Sequence, residues 1–135
     1  MVKVVVTGAA GRMGSRVVNI IQETEGVELV GATEQRGSRF IRKDSGEVAG
    51  IGRNGIPISD DIAGLTKDYD VIIDFTSPSP SLEHIYEAVE ENKAIVVGTT
   101  GFSREQMEKI KDLSKEILCV LSPNMSVGVN VMFKV

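Results

Sequence analysis

The strongest chemical signal in the chain is seven residues long: Gly8-Ala9-Ala10-Gly11-Arg12-Met13-Gly14, between an apolar run and the first amphipathic stretch. A tight turn at such a place aims backbone N–H groups and the positive end of a helix at one point. A pyrophosphate can sit there, provided no side chain fills the point of closest approach. Gly14, the last glycine, lets the helix pack close to the sheet. The spacing is G-x-x-G-x-x-G, with Ala9 or Ala10 standing where the stricter G-x-G-x-x-G has a glycine. A turn with only a packing role is the alternative; the position after a strand and at the start of a helix favours a dinucleotide. Glu34 follows 20 residues beyond Gly14. A carboxylate there accepts hydrogen bonds from both hydroxyls of an adenosine ribose and repels a 2′-phosphate. Against it stand Arg36, Arg39, Arg42 and Lys43, either a solvated loop or a hold on that phosphate. NADH is thus the expected cofactor and NADPH the second candidate.

A rim of small and polar residues closes each strand-like run: Thr7-Gly8, Glu34, Asp74-Phe75-Thr76, Gly98-Thr99-Thr100-Gly101 and Ser122-Pro123-Asn124. Ligands of open α/β sheets bind outside the carboxyl ends of the strands, so these residues together predict one crevice. Gly98 to Gly101 can bring backbone donors against a flat ring, and Asn124 can both donate and accept beside a carboxamide. Asp74 is read as a cap for the helix after Pro78 rather than as an acid or base. His84 is read as a surface residue near its helix's polar edge, and Cys119 as a buried, inert thiol. Tyr-x-x-x-Lys is absent, since Ile73 and Glu90 stand four residues after Tyr69 and Tyr86. No Gly-Lys-Ser/Thr marks a nucleotide-hydrolysing loop either. The cofactor half of a redox site is visible; an acid–base half is not.

Composition narrows the classes further. One Cys excludes an intramolecular disulfide, and with one His it leaves no zinc set. Fifteen basic against 19 acidic residues, net −4, argue against a nucleic-acid surface. With aromatics at 4% and no Trp, a stacking platform is not expected. No apolar run approaches the roughly 20 residues that span a bilayer, and Met1 to Thr7 is too short for a signal-peptide core. At 135 residues, 41% hydrophobic, the chain is expected to be one soluble, cytoplasmic domain.

The elements that must position these residues alternate. Val2 to Thr7, Val27 to Thr33, Asp70 to Phe75, Ala94 to Gly98 and Leu118 to Leu121 read as five strands, with Ile56-Pro57-Ile58 a brief extended piece. Gly11 to Glu23 reads as a helix burying Met13, Val17, Val18 and Ile21. A second carries Leu82, Ile85, Tyr86 and Val89 on one face, and a third opens with a Ser103/Gln106 capping box and stripes Met107, Ile110, Ser114 and Ile117. Ser59 or Asp60 is expected to cap a short helix through Leu65. Strand–helix–strand with short connections predicts parallel pairing and right-handed crossovers, and strands apolar on both faces predict helices on both sides. The fold class is therefore α/β, a Rossmann-like doubly wound parallel sheet. Residues 1–125 form the expected dinucleotide-binding domain. Residues 126–135 look like the opening turns of a further helix, so the chain is expected to be the first part of something longer.

Four blocks occur together and in order: GAAGRMG at Gly8 to Gly14, DFTSP at Asp74 to Pro78, VGTTGF at Val97 to Phe102, and SPNMSVGVNVM at Ser122 to Met132. Their combination resembles the dihydrodipicolinate reductase family over the whole chain, but over only about half of the family's usual length. The resemblance implies an oxidoreductase of the diaminopimelate route to lysine, reducing a cyclic dicarboxylate to tetrahydrodipicolinate with hydride from NADH or NADPH. It implies that Gly8, Ala9, Ala10, Gly11, Arg12 and Met13 hold the pyrophosphate and Glu34 the ribose. Phe75 and Thr76 belong to the same cofactor rim. Gly98, Thr99 and Thr100, with Ser122, Pro123, Asn124 and Met125, border the nicotinamide, and Thr100 also approaches substrate. Gln35 stands where NADPH-tolerant members often carry Arg. The family's acid-bearing His-His-x-x-Lys motif and its Gly-Thr carboxylate loop lie in a second domain, along with the main contacts of a homotetramer; neither motif occurs here. The chain is then a cofactor-binding portion, not expected to turn over substrate alone. Two other readings are a stand-alone NAD(H)-binding or sensing module and the cofactor domain of another two-domain dehydrogenase.

Overall fold

The computed structural model describes residues 1–65 and 67–122. The amino-terminal run Val2–Thr7 (β1) is followed by α1 (Arg12–Glu23), β2 (Val27–Thr33), a single turn of helix α2 (Ser45–Val48) and the two-residue β3 (Ile58–Ser59). Then come β4 (Val71–Asp74), α3 (Pro78–Glu90), β5 (Ala94–Val97), α4 (Arg104–Leu113) and β6 (Cys119–Leu121). The six strands form one sheet in the order β3-β2-β1-β4-β5-β6, every neighbouring pair parallel. The chain winds outward from β1 to β3, then returns to start the other half at β4. Beside β1, therefore, the connections leave in opposite directions.

Consecutive β1 side chains point to opposite faces. Val4 and Val6 pack with Val17, Val18 and Ile21 of α1, while Val5 packs with Ile72, Ile85 of α3 and Ile110 of α4. Val4, Val5 and Val6 are all fully buried. A strand walled by helices on both sides needs an uninterrupted apolar run, and VVV supplies it. This is the doubly wound α/β layer the sequence predicts.

Several local expectations differ. The brief extended piece is a true sixth strand, Ala32 and Thr33 pairing with Ile58 and Ser59. The expected helix through Leu65 is instead a series of turns. Ser59 Oγ accepts the Asp61 amide at 3.3 Å, and Asp61 Oδ1 accepts the Ala63 amide at 3.0 Å. Short polar side chains thus take the amides that a helix would need. The helical faces are also rotated from the sequence reading. Gly14, not Met13, joins Val17, Val18 and Ile21 beneath α1; Ser81, Ile85 and Ala88 lie beneath α3; Met13, Tyr86 and Met107 are exposed. The α4 stripe stops early because the helix ends at Ser114, whose hydroxyl donates to Lys111 O at 2.8 Å. The proposed helical turns at 126–135 lie outside the described residues.

Candidate functional site

A cleft of about 700 Å³ opens at the carboxyl ends of β1 and β4, where the winding reverses. Gly8, Gly11, Thr33, Glu34, Phe75, Thr76 and His84 are among its lining residues. Gly98, Thr99, Thr100 and Ser122 do not line it themselves. Four features lie in the cleft or support its walls.

The first is the glycine turn. Gly8 takes φ +74°, and a Cβ there would stand 2.0 Å from the Phe75 carbonyl oxygen. A Cβ on Gly14 would stand 1.9 Å from the Gly8 carbonyl oxygen, so this glycine lets α1 close on the turn itself rather than on the sheet. Gly11 is the N-cap of α1 and offers no side chain to it, and the helix has no acidic residue in its first turn. The contrast with α4 is instructive: there Ser103 and Gln106 form a complete capping box. In α1 the first-turn amides lack the carboxylate or hydroxyl that ordinarily satisfies them, which suits an anion from outside. Arg12 and Met13 stand exposed at this end, and Ala9 is buried beneath it.

The second is Glu34, half-buried at the end of β2. Its Oε2 accepts the Ala10 amide at 2.9 Å and its Oε1 accepts the Gln35 amide at 3.2 Å. The expected ribose carboxylate and the expected phosphate turn are thus joined directly. Of the nearby cations, Arg36 lines the cleft with Gln35, whereas the Arg39 guanidinium lies 4.8 Å from the centroid of the Phe40 ring. Arg42 takes φ 72°, and its amide donates to Ile58 O at 2.7 Å, pinning that turn to β3.

The third is the loop after β5. A Cβ on Gly98 would lie 2.0 Å from Phe75 Cε1, so the absence of a side chain there seats the Phe75 ring. Thr99 faces inward, Thr100 is exposed, and Ser122 sits after β6 with its amide bonded to Val97 O at 2.8 Å. Pro123, Asn124 and Met125 lie outside the described residues.

The fourth was missed by the sequence reading. Asp74 is fully buried and caps no helix; it collects side chains. Thr7 Oγ1 donates to its Oδ1 at 2.6 Å and Thr76 Oγ1 at 3.0 Å, while Thr99 Oγ1 donates to Oδ2 at 3.0 Å and Ser81 Oγ donates there too. His84 Nδ1 stands 2.6 Å from Oδ1, and its side chain is 19% exposed, so it is not the surface residue expected. An ionised carboxylate only accepts, which assigns the proton to Nδ1. The available signal was Ser81 and His84, three apart on α3 beside Ile85, and so able to face the sheet together. As for Cys119, the thiol is half-buried, and burial pushes it up to about 11, leaving it protonated and unreactive at neutral pH.

Burial alone would raise the Asp74 carboxyl, but hydrogen bonds from His84, Ser81 and Thr7, with the attraction of His84, hold it below the ordinary 3.8. A carboxyl depressed on folding contributes stability above its unfolded value and loses it as pH falls through its folded value. Asp74→Asn is expected to be less stable than the unsubstituted chain near neutrality, and to lose less on going from about pH 7 to about pH 3. Asp44 and Asp68, also held low, titrate in both proteins and cancel. Denaturant midpoints at the two pH values check this; equal acid losses would remove Asp74 from the linkage.

Comparison with known proteins agrees with this geometry. Residues 2–125 match the family model described as dihydrodipicolinate reductase, N-terminus. The 4-hydroxy-tetrahydrodipicolinate reductase of Syntrophobacter fumaroxidans is 45% identical over 135 residues, all of this chain and 51% of that protein. The enzyme of the same name from Geotalea daltonii is 49% identical, again across the whole chain and 51% of the relative. The chain therefore spans about half the length of these curated relatives. Among solved structures, dipicolinate-bound dihydrodipicolinate reductase from Paenisporosarcina sp. TG-14 superposes with a TM-score of 0.73 at 26% identity, covering 99% of this chain and 51% of that one. With sequence, strand order and glycine turn in agreement, the chain belongs to the family of dihydrodipicolinate reductase amino-terminal domains.

Proposed function

We propose that this chain is the cofactor-holding portion of a reductase that transfers hydride from NADH, or NADPH, to a 4-hydroxy-tetrahydrodipicolinate-type dicarboxylate, giving tetrahydrodipicolinate for lysine and diaminopimelate synthesis. One observation carries this: an uncapped α1 amino terminus and a ribose-type carboxylate, Glu34, are joined through the Ala10 amide, with Gly11 and Glu34 on the wall of the cleft. In this assignment Gly8 to Met13 seat the pyrophosphate against the helix end, where the amides of Arg12 and Met13 face it; those of Gly8, Ala9, Ala10 and Gly11 are bonded within the chain and hold the turn in shape. Glu34 accepts the adenosine ribose hydroxyls. Phe75, Thr76, Gly98, Thr99 and Thr100, continued by Ser122 to Met125, wall the nicotinamide end, and Thr100 reaches towards substrate. A bound reduced nicotinamide supplies the hydride. The chain's own residues orient that ring and exclude water from one of its faces.

In this reading the chain's own residues supply no acid–base pair to the reaction. Proton delivery typically contributes about 10²–10⁴-fold, and we place that group in the remaining half of the longer relatives. Residues 1–125 form the dinucleotide domain and 126–135 lead towards the missing half. A homotetramer assembles only when that half is present, in the cytoplasm. No nucleic acid or membrane enters the scheme; among the described residues no helix is long and apolar enough to cross a bilayer.

The test is a titration followed by an assay. Glu34→Ala is expected to weaken NADH by about one to two decades, since charged hydrogen bonds contribute roughly 1.5–3 kcal/mol. NADPH should lose less, because Glu34 also repels its 2′-phosphate. Equal losses would refute the ribose contact. Turnover by the 135-residue chain alone would refute the placement of the acid elsewhere. A chain extended to the relatives' length that fails to reduce the dicarboxylate would overturn the activity.

A further inference from the structure

Resting on the dinucleotide assignment above, we propose that Asp74 is a positioning residue that locks the nicotinamide-side loop and the α3 side of the cleft into one rigid frame. Its carboxylate is the meeting point of three strand ends and one helix. Thr7 comes from β1, Thr76 from the segment after β4, Thr99 from the loop after β5, and Ser81 and His84 from α3. Thr99 is held from two further directions: its Oγ1 accepts the Thr76 amide at 3.1 Å and lies 2.6 Å from Ser81 Oγ. The loop expected to border the nicotinamide is therefore not free to settle wherever its backbone allows. Its first hydroxyl is tied to the same carboxylate that holds His84 on the cleft wall.

Energetics argue that the cluster serves geometry. Burying a carboxylate carries a large desolvation penalty, and well-packed apolar residues commonly replace buried ionic groups without loss of stability. The penalty falls at Asp74, directly beneath the crevice, where β1, β4 and β5 end. Five donors converge on a group with about four lone-pair sites, so the carboxylate fixes the side chains around it more tightly than any single pair would. A dinucleotide spanning the cleft has to meet both sides at a set separation. Misplacement of a reacting group by about an ångström already costs about 10²-fold in rate.

The experiment measures NADH and ADP affinity for the folded 135-residue chain by fluorescence and calorimetric titration, well below each variant's unfolding transition. Thr99→Val removes the hydroxyl at nearly constant volume and tests the tie from the loop. It is expected to weaken NADH about tenfold, one decade being 1.4 kcal/mol, while ADP, which lacks the nicotinamide half, changes less than about twofold. Asp74→Asn is expected to weaken NADH at least as much. The double variant should lose no more than the worse single one, because both remove the same tie. A purely structural role would lower the unfolding midpoint and leave the NADH Kd of the folded protein unchanged, which would overturn the proposal. Additive losses would overturn it as well, since the effect of Thr99 would then not pass through its tie to Asp74. If Asp74→Asn does not fold, Thr99→Val decides alone: equal weakening of ADP and NADH, or of neither, refutes the tie. Failure of the unsubstituted chain to bind NADH would instead refute the dinucleotide assignment itself, and this inference with it.

Discussion

Gly8→Ala is expected to cost this domain about 2–5 kcal/mol, from about 1–2 for placing an L residue in the left-handed region and about 1–3 for overpacking. Gly8 sits at φ +74°, and the added methyl would stand 2.0 Å from the Phe75 carbonyl oxygen and 2.9 Å from its carbon. Those are backbone atoms of the segment leaving β4, so relief requires β1 and β4 to part at the mouth of the cleft. Natural domains are stable by only about 5–15 kcal/mol, so a substantial unfolded fraction is expected on gentle warming. Gly26 provides the control. It has φ +82° and nothing within 4 Å of a built Cβ, so Gly26→Ala meets the conformational cost without the collision. Urea midpoints of the two variants separate the contributions. Equal destabilisation would show that the contact with Phe75 costs nothing.

Gly98→Ala is expected to damage binding as well as folding. Its methyl would fall within 2.0–2.6 Å of three Phe75 ring atoms, and the ring, half-buried on the cleft wall, has somewhere to go. It swings into the space that the dinucleotide is proposed to fill. The predicted stability loss is about 1–3 kcal/mol, and NADH affinity should fall by about tenfold or more, 1.4 kcal/mol being one decade. Adding Phe75→Ala should return part of the stability lost, because the two changes share one contact and cannot be additive. If the pair of substitutions costs the sum of the two alone, the ring is not what Gly98 accommodates.

The parts of this protein that are local in the chain were legible from it. VKVVVT predicts a doubly buried strand because its apolar run is unbroken, and Ser103 with Gln106 predicts a capped helix because the cap needs only three residues of spacing. The glycine turn is legible for the same reason. Asp74 was not, because its character depends on distant partners: Thr7 lies 67 residues away and Thr99 lies 25. An aspartate two residues before Thr76 reads as a turn or cap until the sheet brings β1 and β5 to either side of it. His84 is hidden by the same logic; a helical period orders residues around an axis but does not say which side meets the sheet. Met13, Tyr86 and Met107 show that error in its mildest form. The turns at 60–65 differ for another reason: Asp61 and Ser59 satisfy neighbouring amides and so compete with the helix that Ser59 or Asp60 is expected to cap.

The bond from Ala10 to Glu34 bears on how such a domain can evolve or be engineered. Exchanging that glutamate for a smaller or neutral residue is the obvious route towards a phosphorylated ribose. Here the same exchange strips an acceptor from the turn proposed to seat the pyrophosphate. On the proposed assignment, preference for one nicotinamide cofactor over the other and the shape of the phosphate seat are therefore coupled through one side chain. A lineage, or a designer, that changes the first must supply Ala10 with a new acceptor in the same step.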